Sequence, residues 1–189
     1  MSKKLNYFLR IILMFILMAC IGCGNAEENA DKNAVFSLSE LQNKDEAGEF
    51  RYKDIPFGSS SEEVTQQIPK ELEKMEAENS SAVSFYSKES FEFYGCDAFL
   101  FLDFNEDKLE SVKVQFELKE GEEQFQKILD DLTELYGEPE ISGGEGEIFT
   151  SEIYSWGKGT TRLQAILMKT ESTASAVLGV FKMNQNSEK

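Results

Sequence analysis

Histidine is missing from this 189-residue chain, and that absence excludes more chemistry than any motif supplies. The side chain most often used for proton transfer near neutral pH, and the commonest transition-metal ligand, are gone together. Most catalytic triads and zinc centres fall with it. Basic residues are scarce as well: 19 Lys and Arg stand against 35 Asp and Glu, giving a net charge of −16 and a pI near 4.4. Phosphate backbones need clustered Lys and Arg, so nucleic acid is not expected as a partner. The length suits one domain with appendages.

What is present begins with an address. Lys3, Lys4 and Arg10 precede the apolar run from Ile11 to Ala19, the charged n-region and short h-region of an export signal. A spanning helix needs about 20 apolar residues, and this run meets Gly22 and then Asn25, Glu27 and Glu28, which weakens a permanent transmembrane anchor. Leu17-Met18-Ala19-Cys20 resembles the bacterial lipobox, in which an aliphatic and a small residue precede the cysteine that receives diacylglycerol. Ile21-Gly22-Cys23-Gly24-Asn25 is a second candidate, although Cys20 then occupies the aliphatic position. The resemblance covers the export segment alone. It implies a lipoprotein anchored through Cys20 or Cys23 on the extracytoplasmic face of the cell membrane. Two acyl chains, at about 0.8 kcal/mol per buried methylene, would suffice as the anchor. Three of the basic residues lie in this leader, so the exported part is more acidic still and repels anionic headgroups.

The expected organisation is a signal over 1–22, a flexible tether over 23–48 and an α+β domain over 49–185. The tether is rich in Ala, Asn, Glu and Lys, and Phe36 to Leu41 is an apolar island that suggests a short helix, a docking segment or a transiently helical linker. Phe50 to Ile55 alternates and ends at Pro56, which predicts a first strand. Ser60 with Glu63 forms a capping-box pattern for a short helix ended near Pro69. Strands are predicted over 82–86, extending toward Phe91-Glu92-Phe93, then over 98–104 and 109–118. The last carries strict alternation, and Asn105-Glu106-Asp107-Lys108 supplies a hairpin turn between the last two. Phe125, Ile128, Leu129, Leu132, Leu135 and Tyr136 make a helical stripe stopped by Gly137 and Pro139. An acidic glycine-rich loop over 141–147 leads to strands over 148–156, 161–169 and 176–183.

The order is a helix and about three strands, twice, over 58–118 and 121–183. The expected fold class is therefore α+β, with helices packed on an antiparallel sheet and a tandem duplication of a helix-plus-three-strand unit. Gly58-Ser59-Ser60-Ser61-Glu62-Glu63-Val64 and Leu132-Thr133-Glu134-Leu135-Tyr136-Gly137-Glu138-Pro139 resemble the helix starts and stops of beta-lactamase-inhibitory-protein-like and small outer-membrane-lipoprotein scaffolds. That resemblance implies a protein-binding scaffold without catalysis and carries over no functional residue.

Sites are few. Asp103, Asn105 and Asp107 mimic the start of a calcium loop, but Lys108 stands where glycine is needed and Val114 where the bidentate Glu belongs. Gly157-Lys158-Gly159-Thr160 lacks the remaining residues of a phosphate loop and reads as a hairpin turn. Among so many acids, no pair such as Glu92 with Asp97 stands out for glycoside hydrolysis. Cys96 is expected as a buried structural thiol, with pairing between molecules as the other outcome. Phe149, Tyr154 and Trp156 are a candidate binding patch, since aromatics dominate binding hot spots, but alternate core positions explain them equally. No catalytic residue, metal or cofactor is expected. The function expected is a non-catalytic module that binds another envelope protein, and the alternative is a ligand- or glycan-binding domain.

Overall fold

The computed structural model describes residues 36–42, 48–76, 81–119, 122–146 and 148–183, all within one compact unit, Asn33–Lys189. Cys20, Cys23 and the expected signal lie outside the described residues. Among those described, no helix is long and apolar enough to cross a membrane. The fold is mostly β. Strands β1 (Leu72–Glu76), β2 (Ala82–Ser87), β3 (Phe91–Phe93), β4 (Cys96–Asn105), β5 (Lys108–Glu117), β6 (Glu140–Glu145), β7 (Thr150–Trp156), β8 (Thr161–Lys169) and β9 (Ala174–Lys182) build one antiparallel sheet. Its order is β1-β2-β4-β5-β9-β8-β7-β6, with β3 on the same edge of β4 as β2. Among the described residues two α-helices join it, α1 (Ser61–Thr65) and α2 (Glu123–Tyr136).

Local chemistry accounts for these elements. Ser60 Oγ accepts from the Glu63 amide while the Glu63 carboxylate accepts from the Ser60 amide, so the capping box forms and α1 starts where expected. Glu106 and Asp107 both take positive φ, 51° and 56°, which makes the two-residue turn that joins β4 to β5. In α2, Phe125, Ile128, Leu129 and Leu132 are buried, and Gly137 at φ 82° ends the helix. Leu135 leaves the stripe and is half exposed. The helix covers the sheet face that carries Ala98, Leu100, Leu102, Val112, Val114, Leu163, Ala165 and Leu178.

Several expectations are corrected. Phe50 to Ile55 is not a strand: Lys53 and Asp54 take positive φ, the Ile55 amide bonds to the Tyr52 carbonyl at 2.9 Å, and the segment folds into a tight turn. Residues 141–145 are not loop but belong to β6, and β1 was not foreseen. The apolar island in the expected tether is core: Leu38–Glu40 is a 3-10 turn, Leu41 is fully buried, and Phe36 stacks on Tyr52 at 5.3 Å. Tyr136 donates to the Leu38 carbonyl, tying the island to α2. A tandem duplication is not what the structure shows. The two helices have 5 and 14 residues, β3 occurs in the first half alone, and all nine strands share one sheet.

Between β2 and β3 the chain kinks without leaving β4. Tyr86 pairs with Phe101 and Phe91 with Ala98, so two extra residues bulge out. Ser87 is fully buried at the kink, and its hydroxyl accepts the Leu100 amide at 3.1 Å in place of a ladder bond.

Candidate functional site

One sheet face is sealed by α2, α1 and the amino-terminal segment; the other has no helix over it among the described residues. Register determines what that open face presents. One row runs Tyr86, Phe101, Lys113, Gly179, Gln164 and Ser155 across β2, β4, β5, β9, β8 and β7. Beside it run Phe99, Gln115, Val177, Ile166 and Ile153. A third row holds Ser84, Asp103, Ser111, Phe181 and Arg162. The face is therefore an aromatic and aliphatic tract with a charged centre. Phe99 is 38% exposed, and Tyr86 stacks on Phe101 at 6.0 Å.

The centre is a saturated ion pair. Asp103 accepts from Ser84 Oγ at 2.7 Å, from Ser111 Oγ, and from Lys113 Nζ at 2.6 Å. Burial pushes its carboxyl upward, but the bonds from Lys113, Ser111 and Ser84 together hold it below the usual carboxylate range. Lys113 Nζ also lies 5.9 Å from the centre of the Phe101 ring. Gly179 makes room for this: a Cβ there would stand 2.5 Å from Lys113 Cβ and 2.6 Å from the Val112 carbonyl. A carboxylate already committed to three donors anchors a surface; it is not poised as a base.

Beside the ion pair lies a cleft of about 530 Å³, with Phe99 and Phe101 among its walls and Asp97, Gln115, Glu117 and Lys119 at its rim. Lys119 pairs with Asp97 at 2.7 Å, and Glu92 stands directly across from Asp97. The Asp97–Lys119 bond raises the lysine above its ordinary range. The cleft can take an apolar or aromatic group with a cation or hydroxyl at its margin. No three Asp, Glu or Cys side chains converge as metal ligands among the described residues.

The expected aromatic patch is divided. Trp156 is core, 3% exposed, and its Nε1 donates to the Gly137 carbonyl at 2.7 Å. Tyr154 is half-buried against Phe125 and donates to Glu152 at 2.9 Å. Only Phe149, 51% exposed, projects into solvent beside the β6–β7 turn. Strand alternation puts Tyr154 and Trp156 on the helix side, so one open patch of the three does not form. Cys96 is a buried free thiol, as expected.

Phe99 and Phe101 were missed because Ala98 to Phe104 is apolar at nearly every position and reads as a strand buried on both faces. A signal was present: Asp97 and Asp103 share their parity, and a carboxylate at each end of Asp97-x-Phe99-x-Phe101-x-Asp103 marks that face as wet.

No curated protein and no solved structure matches the chain. A family model described as "Uncharacterised protein" matches residues 52–155, which run from the Tyr52 turn through α1, β1 to β6 and most of β7. That span includes Phe99, Phe101, Asp103 and Lys113 and exceeds half the chain, so this protein belongs to that uncharacterised family.

Proposed function

We propose that this is an extracytoplasmic lipoprotein, held at the cell membrane through Cys20 or Cys23, whose domain binds another envelope protein through the open sheet face without catalysis. One observation carries the reading: the uncovered face presents Tyr86, Phe99, Phe101, Ile166 and Phe181 around the Asp103–Lys113 pair. Aromatic anchors around a satisfied polar centre suit a protein interface, where a few buried aromatics dominate affinity. The acidic charge favours a basic partner surface at long range, over a Debye length of about 8 Å at physiological salt. The cleft over Phe99 and Phe101 favours a second reading, a ligand or glycan held on the aromatic wall.

Fatty-acid labelling of the intact protein tests the anchor. Cys20→Ala and Cys23→Ala made separately should identify the acylated residue, and labelling of the double variant would defeat the lipoprotein reading. Association rates of a captured basic partner should fall as salt rises; rates indifferent to salt, or turnover of a substrate by the domain, would count against the binding mechanism.

A further inference from the structure

The outer edge of β6 offers backbone rather than a side-chain face. β6 ends the sheet, and among the described residues no strand lies beyond it. The Gly146 amide donates to the Phe149 carbonyl at 2.9 Å, and the register continues regularly from Glu145–Thr150 to Glu140–Ser155. Antiparallel ladders alternate inward- and outward-facing pairs. The N–H and C=O groups of Ile141, Gly143 and Glu145 therefore point away from β7. Ser142, Gly143 and Gly144 leave this edge uncovered by side chains, and β6 has neither the lysine nor the proline that commonly blunts an exposed edge.

Apolar groups flank the same edge. Three large hydrophobic residues that are more than half exposed, Ile141, Ile148 and Phe149, lie on β6 and in the β6–β7 turn. Between α2 and β6 runs a groove of about 420 Å³ lined by Leu129, Pro139, Ile141 and Tyr154, with Asp130 and Glu138 at its polar margin. Glu140 and Glu145 stand at the two ends of β6.

We propose that this edge is a second docking site, independent of the open face, which takes an extended segment of a partner protein as an added strand. The segment alternates apolar residues, which enter the groove beside Ile141, with Lys or Arg, which lie on the opposite face with Glu140 and are favoured by the acidic charge of the chain. Backbone bonds supply affinity in this mode and alternate side chains supply specificity. A second copy of this chain is disfavoured, because each copy carries a net charge of −16 and repels the other.

The test is amide hydrogen exchange of the domain with a capped peptide of roughly six residues alternating lysine and valine, against its glutamate–valine counterpart. The lysine peptide should slow exchange at Ile141, Gly143 and Glu145 by at least about tenfold, and the glutamate peptide should not. Glu145→Pro removes an outward N–H and no ladder bond, and Ile141→Glu changes a residue that is 68% exposed. Both variants should keep the cooperative melt and lose the protection. Phe99→Ala with Phe101→Ala should leave the protection intact. Absence of slowing, equal slowing by the glutamate peptide, or protection that survives Glu145→Pro would overturn the proposal. Protection that arises without peptide and grows with protein concentration would assign the edge to a second copy and overturn it too.

Discussion

Glu49 fastens the amino-terminal segment to the β7–β8 turn: its carboxylate accepts from the Thr160 amide at 2.7 Å and from the Thr160 and Thr161 hydroxyls at 3.1 and 2.8 Å. Burial pushes its carboxyl up, but these bonds together leave it lowered. A lowered acid contributes stability that is fully present above its unfolded value, near 4.3, and that is lost as pH falls through the folded value. Glu49→Ala should therefore cost about 1 kcal/mol at neutral pH, and urea midpoints of variant and wild type should converge toward pH 3. Constant separation across that range would refute the clamp. Gly159 belongs to it, because a Cβ there would stand 1.9 Å from the Glu49 carboxylate. The single Trp156 reports on the core: its emission should be blue-shifted and shielded from iodide, and Trp156→Ala should cost roughly 3–5 kcal/mol. Its burial was only half legible, since an aromatic at alternate positions of β7 satisfies a patch or a core equally, and only the position of α2 decides. The Asp103 cluster was less legible still, because Ser84 on β2 and Ser111 and Lys113 on β5 flank β4 from two sides and meet Asp103 only through register.

Elements with one wet and one dry face were readable. β5 alternates Val112, Val114 and Phe116 inward, α2 shows its stripe, and the Glu106-Asp107 turn closes its hairpin as expected. Edge strands hid for the opposite reason: β1 and β6 are exposed on nearly every residue, so no burial period marks them, and Gly143-Gly144 mimics a loop. The segment from Phe36 to Leu41 hid because five polar residues to one side make it look like linker, whereas its partners Tyr52, Phe93 and Tyr136 are distant in sequence. It behaves as part of the domain. A fragment beginning at residue 48 should melt well below one beginning at residue 33, and Leu41→Ala in the longer fragment should cost roughly 2–5 kcal/mol. Equal melting of the two fragments would return the island to the tether.

As a whole molecule the domain is a two-sided sheet with one side committed to its own core. The sealed side uses α2 and the amino-terminal island; the open side keeps Phe99 and Phe101 near solvent around a satisfied Asp103–Lys113 pair. That asymmetry is the basis for assigning binding to the open face. Because Asp103 is held ionised by its partners, acidification through its lowered value should loosen the centre of the face and weaken docking, while neutral and mildly alkaline conditions leave it intact. The most direct measurement compares residues 33–189 with the same domain carrying Phe99→Ala and Phe101→Ala as baits for proteins extracted from the native membrane, at low and moderate salt. The unaltered domain should hold a specific envelope protein, more weakly at the higher salt, and the variant should lose it while its cooperative melt persists. Retention of the same protein, at undiminished affinity, by the folded variant would contradict binding through the open face.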